Sequence, residues 1–459
     1  MDNADYSARG LLQSMMQEFN TEQQHAQIVS ADEVEARVNS VWISGVSRIR
    51  TGVLDTLAHR ILMARTVGDV AQEAREVGGK LKALGIARDA HVILGLADSG
   101  KELDVGLECV DGKRFRLRTE AGVNDTEGTA GVSGGLINIF GGGESADVHY
   151  TRGSKTKTDF QAKLAMPVSA DPFRSLSISG SQRMINHRPY KAHDELNREL
   201  SLAYSATDPR SEATTDLSYS LSWRNICNLG AAASPTLRTE AGHSLKSSLW
   251  HVFAWDTRDS TRIPTHGSLI RLTTELAGLI DALGDARFVK TRAELQTNQD
   301  LGGGFVVSTG VQAGLLWNLD PKRPSHLSDR FFLGGTTNVR GFQYQGIGPR
   351  DGNDSIGGDI FYAAGISLLT PLPLVSTNVV KGHVWANAGQ LALMDRRGLQ
   401  RRKGELHRFL LSPSAAVGVG LVYNHSVVRA ELSLCLPITA TPTDRPQTGP
   451  QFSLGMTFL

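Results

Sequence analysis

"RAELSLCL", residues 429–436, alternates apolar and polar side chains one residue at a time. Successive side chains of a β-strand point to opposite faces of the sheet, so this stretch has one apolar face and one polar face. Other stretches with the same period are "DFQAKLAM" (159–166), "DLSYSLSW" (216–223), "VKTRAELQ" (289–296) and "FSLGMTF" (452–458). This repeated pattern decides the fold of most of the chain.

Alternating segments separated by turn residues continue from residue 113 to the end. Their spacing indicates about sixteen strands of about ten residues each. In a membrane barrel the apolar face lies in lipid, the charges lie in the lumen, and closure leaves no unpaired strand edge. We therefore predict a transmembrane β-barrel of about sixteen antiparallel strands over residues 113–459. A soluble all-β protein also alternates in this way and is the alternative.

The first part of the chain has helical patterns. Residues 38–46 alternate and are rich in β-branched side chains, which indicates a strand. A helical stripe follows at residues 53–62, and a second helix begins after the N-cap residue Thr66 and ends near Gly85. Two further strands complete the pattern. This order predicts an autonomous α+β domain over residues 37–112.

Composition limits the classes of function. Residues 1–36 form a polar tail without the apolar core of a secretory signal, and no run of about 18 apolar residues predicts a membrane helix. The 48 basic and 47 acidic residues give a net charge of +1, so no broad basic surface for nucleic acid is expected. Three widely separated cysteines without CxxC spacing argue against a disulfide framework or a zinc site.

Motifs of enzyme chemistry are weak. "GVSGG" (131–135) matches the nucleophile elbow of hydrolases, but an elbow requires a following helix and the strand pattern continues here. The glycine runs at 141–143 and 302–304 precede no helix, so they do not predict a phosphate site. His243 and His251 lack a third ligand. We expect no enzyme activity, cofactor, nucleotide or metal.

A long glycine-rich stretch, "GGTTNVRGFQYQGIGPRDG" (334–352), interrupts the alternation late in the chain. If this stretch extends outward, Arg340 is simply solvated. If it folds back into a polar lumen, charged groups of the inner wall can hold Arg340 by charge-assisted hydrogen bonds, and Phe342 can seal the contact. Glycine at positions 334, 335 and 341 allows the tight turns that the second arrangement needs.

Val339-Arg340-Gly341-Phe342, followed by "GGDIFYAAGISLLTPLP" (357–373), resembles the signature of the outer-membrane β-barrel insertase superfamily, the barrel-assembly and surface-antigen type. "LINIFGGGESADVHY" (136–150) resembles its early-strand motif, and the N-terminal domain resembles the single POTRA domain of these proteins. "EAGHSLKSSLWHVFAWDTRD" (240–259) is similar to the mitochondrial branch, the barrel subunits of the sorting and assembly machinery. The resemblance extends from about residue 37 to residue 459.

The resemblance implies that acidic groups hold the loop arginine. In bacterial relatives these groups lie on neighbouring strands, but the corresponding positions here are the neutral Ser367 and Asn387. We therefore predict Asp359 and Glu431 as partners of Arg340. The predicted latch comprises Val339, Arg340, Gly341, Phe342, Asp359 and Glu431.

The resemblance also implies a seam at which the first strand, 114–122, pairs with the last strand, 451–459. Small Ser453 and Gly455 would make this seam weak. The last strand resembles the targeting signal of mitochondrial barrels, with Ser453 where glycine is expected. The predicted seam residues are Arg114, Phe115, Arg116, Leu117, Arg118, Gln451, Phe452, Ser453, Leu454, Gly455, Met456 and Phe458.

The implied function is non-enzymatic insertion of β-barrel precursors into the mitochondrial outer membrane, with the N-terminal domain in the intermembrane space. The expected partners are membrane lipid, β-barrel precursor proteins and accessory subunits of a sorting and assembly complex, with no nucleic acid and no nucleotide. The alternatives are a protein-translocation channel of the same superfamily in a bacterial or plastid outer membrane, and a passive metabolite pore.

Overall fold

A computed structural model describes residues 34–97, 102–123, 127–188, 190–261, 263–280, 284–320, 324–372, 379–394, 403–424 and 429–454. The chain divides into two compact units. The first comprises the described residues up to Arg116 together with Leu136–Ala146 and Met166–Pro172, and the second comprises the remainder. Most of the predicted tail, residues 1–36, lies outside the described residues. The predicted boundaries of tail, N-terminal domain and barrel stay predictions.

The first unit contains two helices and a three-stranded sheet in the order β1-β3-β2. Its elements are β1 (Arg37–Ser44), α1 (Thr51–Leu62), α2 (Val67–Ala83), β2 (Ala87–Leu96) and β3 (Glu102–Asp111). β1 is parallel to β3, and β2 is antiparallel to it. This is the predicted order of elements.

The helices of the first unit begin and pack as their sequences indicate. The Thr66 side chain accepts a hydrogen bond from the Asp69 backbone N–H (3.1 Å), so it caps α2 as predicted. Leu57, Leu81 and Leu107, from the two helices and β3, are fully buried in one core.

The second unit is built on an antiparallel sheet of 16 strands, whose first strand begins within the first unit. The strands are β4 (Phe115–Val123), β5 (Gly128–Ile137), β6 (Ser145–Gly153), β7 (Thr156–Val168), β8 (Asp171–Asn186), β9 (Asp194–Asp208), β10 (Ala213–Cys227), β11 (Gly242–Asp256), β12 (Gly267–Ala277), β13 (Phe288–Gly302), β14 (Phe305–Asn318), β17 (Ile360–Pro371), β18 (Val380–Ala392), β19 (Ser414–Asn424), β20 (Arg429–Thr439) and β21 (Gly449–Leu454). Strands adjacent in this series are neighbours, and β4 and β21 lie at the two ends of the order. The predicted transmembrane β-barrel fold is confirmed.

Side-chain exposure follows the predicted alternation. On β20, Leu432, Leu434 and Leu436 are 49%, 58% and 56% exposed, whereas Glu431 and Ser433 are buried. A continuous row of exposed leucines is unfavourable in water and typical of the lipid-facing side of a membrane barrel. The soluble all-β alternative is therefore wrong.

The long connection from β14 to β17 contains a short two-stranded ladder, β15 (Arg350–Asp351) with β16 (Asp354–Ser355), and a 3-10 turn at Leu327–Asp329. Two short helices complete the second unit, α3 (Pro235–Thr239) and α4 (Lys403–Leu411). Within the described part of the chain, no helix combines the length and apolar character needed to cross a membrane.

Candidate functional site

The glycine-rich stretch folds inward against the wall of the barrel. Leu333, Val339, Phe342 and Ile347 of the connection are almost completely buried. They belong to one apolar cluster with residues of β17 to β20, including Phe361, Trp385, Leu391, Ala416 and Cys435. The connection therefore contributes to the core of the barrel, and the outward arrangement is not the one observed.

Arg340 lies inside this cluster beside a carboxylate. Its side chain is 4% exposed, and its Nε atom lies 3.1 Å from Oε1 of Glu431 on β20. The guanidinium carbon lies 5.3 Å from the ring centroid of Trp385, a cation–π distance. The structure thus brings Arg340 and Glu431 together.

Glu431 has further partners that the sequence did not indicate. His383 Nδ1 of β18 lies 3.1 Å from Oε1, and the Ser433 hydroxyl donates to the same oxygen at 2.9 Å. Arg429 Nη2 lies 3.5 Å from Oε2. One buried carboxylate therefore faces two arginines and a histidine, and its removal would take that ionic partner away from all three.

The backbone around Arg340 depends on glycine at two positions. Gly341 has a φ of +82°, and a Cβ atom there would lie 2.6 Å from the Cβ of Ala416. Gly334 has a φ of +105°, and a Cβ there would lie 2.8 Å from the Gln343 carbonyl oxygen. Any other residue at either position would be strained and would clash. These glycines set the direction from which Arg340 approaches Glu431.

The same segment binds the connection between β20 and β21. The Gln343 N–H donates to the Arg445 carbonyl (3.0 Å), and the Arg445 N–H donates to the Gly346 carbonyl (2.8 Å). The Gln447 N–H donates to the Gly341 carbonyl (2.8 Å). These bonds hold the tip of the long connection, around residues 340–346, against the segment that leads into the last strand.

Gln451 of β21 extends this link into the strand itself. Its Oε1 accepts from the Gly341 N–H (3.1 Å) and from Cys435 Sγ (3.2 Å), and its Nε2 donates to the Phe342 carbonyl (3.4 Å). We call this set of contacts the Gln451 bracket. It connects Gly341 and Phe342, the two residues that follow Arg340, to the terminal strand of the sheet.

Asp359 does not join the latch. Its Oδ1 accepts from the Ser325 hydroxyl (2.6 Å), and its Oδ2 accepts from the Met394 N–H (3.2 Å). Among the described residues, the contacts of Asp359 do not include Arg340. Asp359 lies directly before β17, and its carboxylate contacts Ser325 near the start of the long connection. The prediction that Asp359 is a partner of Arg340 is therefore wrong.

A second ion-pair cluster, which the sequence analysis missed, surrounds Asp329 in the 3-10 turn. Asp329 Oδ1 lies 2.7 Å from Arg224 Nη1 of β10 and 3.1 Å from Lys246 Nζ of β11. Lys246 also pairs with Glu275 of β12 at 2.8 Å, and Lys290 of β13 donates to the Asp329 carbonyl at 2.7 Å. Burial alone would raise the pKa of Asp329, but Lys246 and Arg224 hold that pKa well below its usual range.

The predicted seam residues lie at both ends of the strand order. Phe115 and Leu117 of β4 are each 62% exposed, and Phe452 of β21 is also exposed. Gln451 and Ser453 are buried. Gly455, Met456 and Phe458 lie outside the described residues.

The arginines of the predicted first seam strand lie on β4 or directly before it. Arg114 immediately precedes β4 and pairs with Asp111 at 3.7 Å. Arg116 and Arg118 lie on β4. Within the described residues, no ladder joins β4 to β21, so the closing pair of strands stays a prediction.

The weak enzyme motif has a structural explanation. Residues 131–135 lie inside β5, so this stretch lacks the strand-turn-helix geometry of a nucleophile elbow. His243 stacks on Trp223 at a centroid separation of 4.9 Å, and His251 lies within β11. These residues need no catalytic explanation.

Comparisons with known proteins agree with this geometry. The Omp85 superfamily domain matches residues 138–458. A SAM50-like protein of Schizosaccharomyces pombe is 32% identical over 435 residues, which cover 92% of this chain and 90% of that protein. The sorting and assembly machinery component 50 homolog of Xenopus tropicalis is 30% identical over 436 residues, with the same two coverages of 92% and 90%.

A solved structure shares the fold. BamA from Haemophilus ducreyi, lacking its POTRA domains 1–3, has a TM-score of 0.74 at 15% identity and covers 91% of this chain and 84% of that one. This likeness shows that the 16-stranded sheet has the β-barrel fold of that protein. The chain belongs to the Omp85 superfamily and, within it, to the SAM50 family.

Family membership establishes location and general role. The chain is a mitochondrial outer-membrane β-barrel protein with a role in β-barrel assembly. The predicted mitochondrial outer-membrane location is confirmed, so the bacterial or plastid location of the translocation-channel alternative is wrong.

Proposed function

We propose that this protein inserts β-barrel precursors into the mitochondrial outer membrane through an opening between β4 and β21. The observation that carries the proposal is the strand order, in which these two strands are the ends of the 16-stranded sheet. A strand at the end of a sheet presents free backbone N–H and C=O groups, which can pair with an incoming strand.

The described part of the terminal strand β21 pairs with β20. β21 comprises six described residues and pairs with β20 from Ala430↔Leu454 to Cys435↔Gly449. By contrast, β10 pairs on both sides, with β9 and with β11. Among the described residues β21 has one neighbouring strand in the sheet, so an incoming strand can add at its other edge without displacing a neighbour.

The inserted strand would be templated by hydrogen bonding alone. A precursor strand adds to an exposed edge, each further hairpin adds to the previous one, and no covalent intermediate or nucleotide is needed. Local thinning of the bilayer by hydrophobic mismatch would lower the barrier for polar strand ends to cross. The mechanism is therefore non-enzymatic.

The N-terminal α+β domain would receive precursors before insertion, from the intermembrane space. Deleting residues 37–112 should slow precursor insertion while the barrel still folds. The same residues, expressed alone, should unfold in one cooperative thermal transition. Protease added to intact mitochondria should leave this domain uncleaved, and cleavage without rupture of the membrane would reverse the orientation.

Reconstitution distinguishes insertion from the remaining alternatives. The full-length protein is placed in lipid vesicles, an unfolded β-barrel precursor is added, and its folding is followed by heat-modifiable migration and protease protection. Vesicles with an unrelated barrel of similar size control for bilayer disturbance. We expect faster precursor folding only with this protein. Solute flux without faster folding would identify a pore, and unfolded precursor inside the vesicles would identify a translocation channel.

A further inference from the structure

The connection between β8 and β9 places two histidines and a glutamate on one face of the sheet. The strand ladder ends at the pair Asn186↔Asp194, and the His187 N–H donates to the His193 carbonyl at 3.1 Å. His187 and His193 are therefore the next cross-strand pair. Glu195 lies two residues after His193, so its side chain points to the same face.

The three side chains converge. The imidazole centroids of His187 and His193 are 4.9 Å apart, and His187 Nε2 lies 3.2 Å from Glu195 Oε2. One nitrogen of each ring and one carboxylate oxygen all lie within 4.8 Å of one another. A tetrahedral metal with bonds of about 2.0–2.1 Å separates its ligand atoms by about 3.4 Å, so modest side-chain rotation would complete the site.

One ring nitrogen at this site is unusual for a buried group. His193 Nδ1 is inaccessible to solvent and has no hydrogen-bond partner among the described residues, whereas His187 Nε2 faces the Glu195 carboxylate. The whole His193 residue is only 1% exposed. Buried polar atoms are nearly always paired, and an orphaned imidazole nitrogen beside a carboxylate is a group that a metal ion would satisfy.

We propose that His187, His193 and Glu195 bind a zinc ion. Two imidazoles and one carboxylate are a donor set that suits Zn²⁺, whereas Mg²⁺ and Ca²⁺ prefer all-oxygen sites. The carboxylate offsets part of the ionic charge. This site is independent of the opening between β4 and β21, because it lies at the β8–β9 connection.

Zinc at this site would fix the conformation of the β8–β9 connection, which contacts the long inward connection. The Ala192 N–H already donates to Asp354 Oδ1 at 2.9 Å, and Lys191 Nζ lies 3.4 Å from the ring centroid of Phe332. Lys191 is buried and adjacent to the ligands, so its positive charge opposes a bound cation. Replacing it offers a variant in which zinc binding should become stronger.

The test is zinc titration of the full-length protein, folded in detergent and stripped with a chelator. Competition against a chromophoric chelator should show one site for Zn²⁺ and none of comparable affinity for Mg²⁺. His193→Ala should weaken zinc binding by more than about 100-fold, since even a lost outer-shell partner costs 10–100-fold. His266→Ala is the control, because His266 is exposed on another connection.

Further variants keep the test decisive. Glu195→Gln retains the shape of the side chain and should also weaken zinc binding, and Lys191→Met should strengthen it by at least about threefold. Folding of each variant is checked by heat-modifiable migration, and bound Co²⁺ should show the visible absorption of a tetrahedral site. Absence of zinc binding in the wild type, or equal affinity in the wild type and the folded Glu195→Gln variant, would overturn the proposal. Neither result depends on precursor insertion.

Discussion

The base and the tip of the long inward connection are both held by buried ion pairs, but with opposite polarity. At the base, the connection supplies the acid, Asp329, and the barrel strands supply the cations Arg224 and Lys246. At the tip, the connection supplies the cation, Arg340, and β20 supplies the acid, Glu431.

The two clusters also differ in where their partners lie in the sheet. The base binds β10 to β13, which are central in the strand order, whereas the tip binds β18, β20 and β21 next to one end of it. The base therefore anchors the connection to the firmly paired wall. The tip contacts the strand that we propose to move, so a change there should affect insertion as well as stability.

The largest expected effect is at the base. Asp329→Asn removes the carboxylate that two buried cations share, and we expect the free energy of unfolding to fall by about 4–5 kcal/mol. Urea titration in detergent measures this loss. The lowered pKa of Asp329 also predicts how stability depends on pH. The stabilisation that ionised Asp329 contributes is complete above the unfolded-state pKa of about 3.9. It is lost as the pH falls towards the lower pKa of the folded state.

Asp208→Asn is the control for the base, because Asp208 lies at the exposed end of β9 and its hydrogen bonds to described residues stay within its own turn. The acid sensitivity should fall much more in Asp329→Asn than in Asp208→Asn, because the hydrogen bonds of the exposed Asp208 are screened by solvent. Equal stability of both variants would show that the base cluster does not anchor the connection.

At the tip, Arg340→Ala should lower stability by about 3–4 kcal/mol. The loss is smaller than at the base because His383 and Arg429 still face Glu431. Arg340→Lys should restore part of it, since lysine keeps the charge without the planar fork. Precursor insertion should also slow in Arg340→Ala, and an unchanged rate would show that the tip has no part in insertion.

Breaking the Gln451 bracket should have a smaller effect on stability, about 1–3 kcal/mol. Gln451→Leu keeps the side-chain size but leaves the buried Gly341 N–H without its acceptor. Hydrogen exchange should accelerate in β21, and the effect should be non-additive with Arg340→Ala but additive with Asp329→Asn.

Gln447→Leu is the matched control, because the Gln447 side chain is exposed and only its backbone contacts the connection. If Gln451→Leu behaves like Gln447→Leu, the bracket does not couple the tip to the last strand.

The smallest effect is expected for Asp359→Asn, about 1 kcal/mol. Asparagine can still accept from Ser325, so mainly the bond from the Met394 N–H to the second oxygen is lost. Stability and insertion rate should stay near wild type. A defect as large as that of Glu431→Gln would restore Asp359 as the partner of Arg340.

The sequence predicted the barrel because alternation is a local property: Leu432, Leu434 and Leu436 show it within one strand. The tip could also be predicted, because its glycines and Val339-Arg340-Gly341-Phe342 form one contiguous motif. The base could not be predicted in this way. Its charged residues are far apart in the chain, as Arg224, Glu275 and Asp329 show. Taken alone, each resembles an ordinary charged residue that faces the lumen.

The zinc ligands were missed for a related reason. His187 and His193 become a pair only once the register of the β8–β9 ladder is known. Asp359 was misassigned because sequence alone does not show which way a carboxylate points at the start of a strand. The motif therefore identified the loop, whereas the partners of Arg340 could be assigned only once the register of the surrounding strands was known.

Locking the proposed opening tests the central claim most directly. Cys109, Cys227 and Cys435 are first replaced, with serine at 435 to keep the donor to Gln451. Cysteine pairs at Leu117 and Leu454 and their register neighbours are then oxidised, since a disulfide requires a Cα separation of about 5.5 Å. We predict that a crosslinked pair stops precursor insertion, that the barrel stays folded in the membrane, and that reduction restores the rate. A fully crosslinked protein that inserts precursors at the wild-type rate would contradict it.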